Sequence, residues 1–210
     1  MLYVADIPVK CPSCGTKFKS QQLPIIIDSG RRNSELRQDF KGVIPQFESY
    51  AVCTCPGCGQ ASWVNKFPAV EDADVQITQA QLTPHMQFRA AALGAESRNE
   101  GFWDVGQLFL HAAWCADDVA ASAQAAEYRR LASNAFVKAL IEGSCPLNQR
   151  MALEYLIGEL HRRAGDFEIA SAQLRNAIPK LSGTYALMAR KLIRLAENND
   201  SNAIDFDFGS

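Results

Sequence analysis

Two copies of one short cysteine motif constrain this chain more than any other feature. Residues 11–15 read CPSCG and residues 55–59 read CPGCG. Two residues between the cysteines let both thiolates of a pair reach one ion, and the following glycine tolerates a left-handed backbone. Four thiolates are the ligand set of a closed structural zinc site. The sequence therefore predicts one metal ion held by four residues: Cys11, Cys14, Cys55 and Cys58.

The motif leaves the identity of the metal open between zinc and iron, with zinc favoured. Tetrahedral sulfur ligation suits both metals, so a rubredoxin-like iron centre for electron transfer is the rival hypothesis. Two disulfides, or one thioredoxin-type redox pair, account less well for two copies of the motif. Cys53 lies two residues before the second pair, and the sequence leaves it as a spare ligand or, as we favour, a thiol in the core or beside the ligands.

The sequence gives no indication of catalysis. Four protein ligands leave no open position on the metal for a substrate or a water molecule. The chain has no nucleophile-elbow motif, no phosphate-binding P-loop and no zinc-protease HExxH motif. We therefore expect no catalytic residues and no enzyme activity.

Composition is typical of a folded protein in a reducing compartment. Hydrophobic residues make up 48% of the chain, and the net charge of −2 argues against strong nonspecific attraction to nucleic acid or membranes. No segment approaches the roughly 20 apolar residues of a membrane span, and no signal-peptide pattern opens the chain. Because the cysteine pairs are of the metal-binding type, we expect a cytoplasmic protein without disulfides.

Hydrophobic patterning divides the chain into four parts and predicts an α+β fold. Residues 1–70 are expected to form a small β-rich, zinc-ribbon-like domain. Residues 71–100 are expected to be a connector with one short helix, which starts at Pro84. An antiparallel, tetratricopeptide-like helical domain is predicted over residues 101–198. Residues 199–210 are predicted to be a disordered acidic tail, with docking into a groove as the alternative.

Finer expectations follow within these parts. Short strands are expected at residues 25–27, 50–52 and 62–64, and a polar loop or single helical turn at residues 31–42. Five apolar stripes with helical spacing occupy the C-terminal half, at residues 102–113, 128–140, 153–164, 167–181 and 185–193. An internal similarity at an offset of 38 residues, from 131 to 169, is near the tetratricopeptide period of about 34.

Several segments, taken in order, resemble a known family. The chain is similar to the bacterial family DUF2225, described as zinc-ribbon proteins with a helical repeat region. The resemblance rests on VKCPSCG at 9–15, RQDFKGVIP at 37–45, CPGCGQA at 55–61 and LEYLIGELHRRAGD at 153–166. Gln60 stands where an aromatic residue is usual, and Cys53 is additional. The resemblance implies a metal site and a repeat fold, and it implies no activity.

The favoured functional hypothesis is a non-enzymatic adaptor that binds a protein or peptide partner. Stacked repeat helices leave a groove along one side of the array. The repeat register places four residues on or beside that groove as candidate partner-binding residues: Tyr155, Glu159, Arg162 and Arg163.

A second hypothesis is nucleic-acid binding through the zinc ribbon. Residues 1–70 carry eight Lys/Arg against five Asp/Glu, whereas residues 71–210 carry thirteen against eighteen. Phe18 and Phe40 are candidate stacking groups for bases. The candidate phosphate contacts are Lys10, Lys17, Lys19, Arg31, Arg32, Arg37 and Lys41. The small positive charge makes this hypothesis less favoured than the adaptor.

Overall fold

The computed structural model describes residues 4–23, 31–38, 47–71, 75 and 77–207. Within these residues the chain forms short antiparallel strand pairs and six α-helices, which confirms the α+β class. The strand expected at residues 25–27 lies outside the described residues, as does the part of the 31–42 segment beyond residue 38.

Each cysteine motif forms the turn of its own β-hairpin. Strand β1 (Ala5–Lys10) pairs with β2 (Lys17–Gln22), and the register places Lys10 opposite Lys17. Strand β4 (Val52–Thr54) pairs with β5 (Ala61–Trp63) around the second motif. Both strands of the second hairpin lie within two residues of their predicted positions.

A third strand pair joins two distant parts of the sequence. Strand β3 (Arg31–Asn33) pairs in antiparallel register with β6 (Asp205–Asp207). The backbone is also paired beyond the strands, because the Ser34 amide donates to the Ile204 carbonyl at 2.7 Å. This corrects the expectation of a disordered tail for its described part, since β-pairing orders the backbone up to residue 207.

Helices occupy most of the C-terminal two thirds of the chain. Their bounds are α1 (Pro84–Ser97), α2 (Phe102–Asp117), α3 (Ser122–Glu142), α4 (Arg150–Arg163), α5 (Phe167–Ala177) and α6 (Gly183–Glu197). Each helix contacts the next one along the chain, and α4 also contacts α6. The five predicted stripes are confirmed as α2 to α6. No described helix combines the length and the apolar character needed to cross a bilayer.

The second hairpin contributes side chains to two hydrophobic cores. The larger core lies among the helices and includes Val52 and Ala61 from β4 and β5. On its outer side, Trp63 packs edge-on against Phe88 of α1, with ring centroids 5.8 Å apart. The smaller core consists of Val9, Cys11, Phe18, Cys53, Cys55, Val64 and Phe67. Apolar packing therefore crosses residue 70, and α1, the helix expected to start at Pro84, packs against both α2 and β5.

A buried ion network holds the segment 31–38 against the helices. Glu35 is 1% exposed and accepts two hydrogen bonds from Arg129 of α3, at 2.7 and 2.8 Å. Arg129 also donates to Asp117 at the end of α2. Arg163, at the end of α4, donates to Glu35 at 3.2 Å and to Asp117 at 2.7 Å. Two guanidinium groups thus face two carboxylates, and the network is electrically neutral.

A second ion cluster fastens the next part of the same segment. Arg37 donates to the buried Glu48 carboxylate at 2.7 Å and to Asp118 at 2.7 and 2.8 Å. Burial opposes the charge of Arg37, but the hydrogen bonds to these carboxylates raise its pKa. The segment 31–38 is therefore anchored to α2, α3 and α4 by charge-assisted hydrogen bonds.

Candidate metal centre

The two cysteine motifs fold into the same tight turn. In the first, the Cys11 amide donates to the Thr16 carbonyl at 2.9 Å, and the Gly15 amide donates to the Cys11 carbonyl at 3.0 Å. The second repeats this pattern, from Cys55 to Gln60 at 2.8 Å and from Gly59 to Cys55 at 3.0 Å. Both glycines have φ of 75°, a left-handed conformation that only glycine adopts without strain.

These turns bring the four predicted ligands into one cluster. Their sulfur atoms all lie within 4.8 Å of one another. The two hairpins meet through Cys11 and Cys58, 3.7 Å apart, and through Cys14 and Cys55, 3.6 Å apart. A tetrahedron with metal–sulfur bonds of about 2.3 Å has sulfur–sulfur edges of about 3.8 Å. The cluster therefore fits one tetrahedral ion with little movement of the sulfur atoms.

The ionisation of the cluster also favours a cation at its centre. Hydrogen bonds from Thr16 lower the pKa of Cys14 to about 6. A backbone hydrogen bond from Gln60 favours the Cys58 thiolate, but desolvation and the neighbouring sulfurs raise the pKa of Cys58 to about 12. Burial likewise raises the pKa of Cys55. Four thiolates this close repel one another, and a bound divalent ion offsets that repulsion and deprotonates its ligands.

Burial divides the ligands into an inner and an outer pair. Cys11 and Cys55 are buried in the smaller core, whereas Cys14 and Cys58 face solvent. The Cys11 thiol donates a hydrogen bond to Oε1 of Gln60 at 3.4 Å. If a bound metal deprotonates this thiol, a 180° turn of the amide would place its nitrogen as a donor to the sulfur.

Cys53 lies outside the ligand cluster. Its side chain is fully buried in the smaller core, and burial raises the pKa of its thiol to about 12. Its sulfur is not part of the group of four that lie within 4.8 Å of one another. None of the seven cysteines, all of which the structure describes, forms a disulfide.

The candidate partner residues on α4 do not form an exposed surface. Tyr155, Glu159 and Arg162 are completely buried, and the Arg163 side chain is 13% exposed. This corrects the expectation that these four face a solvent-filled groove. Tyr155 donates its hydroxyl to the Ser34 carbonyl at 2.8 Å.

The groove face of the array instead holds the tail of the chain. We use "groove face" for the side on which α2, α4 and α6 meet the segments 31–38 and 200–205. Arg162 donates to the backbone carbonyls of Asp200 and Asn202, the latter at 2.8 Å. Arg163 donates to the Ser201 carbonyl at 2.9 Å. Buried Glu159 neutralises Arg162 through two hydrogen bonds of 2.7 Å.

The residues proposed to contact nucleic acid differ in their surroundings. Phe18 is fully buried, which leaves no face for a base, and Arg37 is bound to Glu48 and Asp118. Phe40 and Lys41 lie outside the described residues. Lys10 and Lys17 face each other across the first hairpin and are exposed. The structure therefore corrects the roles expected for Phe18 and Arg37.

Sequence reasoning did not identify the network around Glu35. A signal was present in α3, because Arg129 shares a helix face with Ala125, Ala132 and Phe136, all of which are buried. A charged residue within an apolar stripe indicates a paired, buried charge. The partner Glu35 is 94 residues away along the chain, and nothing local in the sequence points to it.

Comparison with known proteins gives one match. The family model described as "Uncharacterized protein conserved in bacteria (DUF2225)" matches residues 4–92 and 85–202. The two matches together cover both cysteine motifs, all six helices and the first residues of the tail. No curated protein and no solved structure matches the chain.

Proposed function

The chain belongs to the DUF2225 family of bacterial proteins, and from this premise and its geometry we propose that it is a non-enzymatic zinc-binding adaptor. In this proposal the metal stabilises the N-terminal hairpins, and the groove face of the helices binds an extended segment of a protein partner. Among the described residues the cluster offers four sulfur donors, enough to fill a tetrahedral coordination sphere, which supports a structural role for the metal.

The contacts of the tail carry this proposal. Arg162 and Arg163 bind three successive residues through main-chain carbonyl oxygens, at Asp200, Ser201 and Asn202. The tail then continues as β6, which adds a strand to β3. Main-chain carbonyls and strand pairing are available to any extended peptide, and binding by strand addition is a recurring mode of peptide recognition. The groove face therefore has the chemistry to hold a partner segment in place of the tail.

The packing of α4 against α5 supports a tetratricopeptide-like array. A Cβ atom on Gly158 would lie 2.5 Å from Cγ of Leu174, so only glycine allows these helices to approach so closely. Small residues at helix crossings are what the repeat pattern requires, and Ala170 is also fully buried on α5. Arrays of this kind present their binding surface along one side of the stacked helices.

Elemental analysis tests the identity of the metal. We expect the purified protein to contain one equivalent of zinc and to be colourless, because Zn²⁺ has a filled d shell. An iron–thiolate centre would absorb visible light and would give iron in the same analysis. Iron at one equivalent after expression with both metals supplied would overturn the zinc assignment and favour the electron-transfer hypothesis.

A peptide supplied in trans tests the groove face. We expect a chain that ends at residue 198 to bind a fluorescent peptide of residues 199–210, as measured by anisotropy. The full chain should bind the same peptide at least tenfold more weakly, because its own tail competes at an effective concentration in the millimolar range.

Two arginine variants of the shortened chain make this test specific. Arg163→Met should weaken peptide binding because it removes a donor to the Ser201 carbonyl. Arg175→Met changes an exposed arginine on α5 that pairs with Glu197, so it should leave the affinity unchanged. Equal affinity of the peptide for the full and shortened chains, or no binding to either, would contradict a peptide-binding groove.

A further inference from the structure

The residues of the tail differ in how far they enter the groove face. Within residues 199–205, Asp200 and Ile204 are half-buried, and the other five are exposed. Ile204 also packs against the larger core. Where a peptide binds by strand addition, main-chain hydrogen bonds supply affinity, and the side chains that enter the surface supply specificity. The groove face can therefore distinguish one tail sequence from another mainly at positions 200 and 204.

Ser34 determines which residue of the tail occupies the inner position. Ser34 is fully buried, and its amide donates to the Ile204 carbonyl at 2.7 Å. The Ile204 amide donates in return to the Ser34 hydroxyl at 3.3 Å. Tyr155 holds Ser34 in place by donating its hydroxyl to the Ser34 carbonyl at 2.8 Å. Because side chains alternate along an extended chain, a slip of one residue would turn Ile204 away from the core.

A turn fixes the conformation of the tail at the other half-buried position. The Asp200 carboxylate accepts hydrogen bonds from the main-chain amide of Asn202 at 2.8 Å and from its side-chain amide at 2.9 Å. Aspartate favours such a turn through its own side chain. The carbonyls of residues 200–202 accept the hydrogen bonds of Arg162 and Arg163 in this conformation. A segment that forms the turn by itself loses less conformational entropy on binding.

The two arginines at the groove face are balanced by carboxylates of the helices and of the segment 31–38. Arg162 is paired with Glu159 through two hydrogen bonds of 2.7 Å. Arg163 donates to Glu35 and to Asp117. In the tail these arginines contact carbonyl oxygens, which every sequence provides. Selection of a segment therefore depends on the turn and on the apolar side chain, and not on net charge.

From these observations we propose that the groove face recognises a segment of a protein partner with the pattern Asp-x-Asn-x-aliphatic. This inference rests on the proposed peptide-binding function and adds the sequence that is bound. The aliphatic side chain takes the place of Ile204, and the residues equivalent to Ser201 and Ala203 are free to vary because both are exposed. The tail carries the same pattern at residues 200–204, so it occupies the site until a partner segment displaces it.

The test uses the full metal-bound chain with Ile204→Ser in its own tail, so that this tail competes weakly. A fluorescent peptide of residues 199–210 should bind this variant at least tenfold more tightly than it binds the natural chain, as measured by anisotropy. Ala203→Ser introduces the same residue at an exposed neighbouring position and should leave the affinity as it is in the natural chain. Absence of peptide binding to every one of these chains would contradict the proposed function itself.

Unlabelled peptides of residues 199–210 then test the pattern by competition. Ile204→Val keeps an aliphatic side chain and should compete as well as the natural peptide, whereas Ile204→Ala should compete about tenfold less well. A peptide with both Ala203→Ile and Ile204→Ala has the natural composition but a shifted aliphatic residue, and it should compete as weakly as Ile204→Ala. Asp200→Ala should also compete less well, because it removes the acceptor of the turn.

The outcomes separate this inference from the function on which it rests. If the natural and shifted peptides compete equally, the pattern is wrong although the peptide-binding groove stands. If Asp200→Ala competes as well as the natural peptide, the turn has no part in recognition. A natural chain that is a dimer and becomes a monomer with Ile204→Ser would assign the site to the tail of a second copy and overturn the partner. If the Ile204→Ser chain does not fold, the same competition on the natural chain decides, at a higher probe concentration.

Discussion

Replacing Cys55 by serine is expected to abolish metal binding and to unfold the small core beside the four cysteines. That core contains seven buried hydrophobic side chains, too few to fold two hairpins without a crosslink. Structural zinc contributes on the order of 10 kcal/mol of apparent binding free energy, and that energy is coupled directly to folding. Loss of one of four ligands therefore removes the main source of stability for the hairpins.

The helices should survive this change, but with a lower melting midpoint. Val52 and Ala61 belong to the helical core, although they lie on the hairpin that carries Cys55. Full burial of a valine side chain is worth about 1.5–3 kcal/mol, so disordering this hairpin removes a modest share of the helical stability. Circular dichroism of the metal-bound, chelated and Cys55→Ser forms should show helical signal at 25 °C in each, with a lowered midpoint in the last two.

Cys53→Ala is the matched control for this experiment. The residue lies two positions from Cys55 and is equally buried, but it is outside the ligand cluster. The variant should keep one equivalent of metal and lose only the packing of a small side chain. If Cys53→Ala lost the metal and Cys55→Ser kept it, the ligand assignment would be wrong. If the helices melted entirely on chelation, the hairpins and helices would form one cooperative unit.

The clustering of the four cysteines was predictable because its signal is local. Each motif fixes its turn through four backbone groups and one left-handed glycine, and these depend on six adjacent residues. The pairing of the two motifs needed no knowledge of the fold, since four equivalent thiolates are the ligand set of a single ion. The helices were predictable for a similar reason, because each apolar stripe spans one continuous segment.

The contacts of the tail were not predictable in this way. Ser34 and Ile204 are 170 residues apart, and their pairing depends on where α4 and α6 place the chain ends. The acidic composition of the tail favoured disorder, since charged segments bury little apolar surface. In the structure the tail is held through its main-chain carbonyls. Every residue has this group, so the sequence contains no sign of these contacts.

Charge misled the sequence analysis most at α4. Arginine and glutamate are seldom fully buried, so a row of them was assigned to a solvent-facing groove. Glu159 and Arg162 are nevertheless completely buried, because they neutralise each other one helical turn apart and the tail carbonyls accept the remaining donors. Sequence reasoning placed these residues at a groove open to a partner, whereas in the structure they contact Ser34 and the tail.

Replacing Arg129 by methionine is expected to destabilise the fold by about 3–5 kcal/mol, the usual cost of breaking a buried ion pair on one side. The Glu35 carboxylate would lose two hydrogen bonds of 2.7 and 2.8 Å and would keep a single bond of 3.2 Å from Arg163. The lost stability should appear in urea unfolding as a lower midpoint with an unchanged slope.

The neighbouring residue provides a control for this variant. Arg130 also lies on α3, but its side chain is 46% exposed and pairs with Asp166 at the surface. Arg130→Met should cost about 0–1 kcal/mol, as expected for an exposed pair. Equal effects of the two substitutions would contradict a special role for the buried network.

The network around Glu35 should make the stability of the fold depend on pH within a defined range. Burial alone would raise the pKa of Glu35, but Arg129 and Arg163 hold it down at about 2, against an ordinary value of 4.5. The pKa of Glu35 is lower in the folded state than in the unfolded state. The contribution of this carboxylate to folding stability is therefore complete above pH 4.5 and is lost as the pH falls towards 2. Glu35→Gln should therefore cost on the order of 3 kcal/mol at pH 7, and the difference from the natural chain should shrink between pH 4.5 and 2. A difference that stayed constant across this range would mean that Glu35 stabilises the fold by packing and not by its charge.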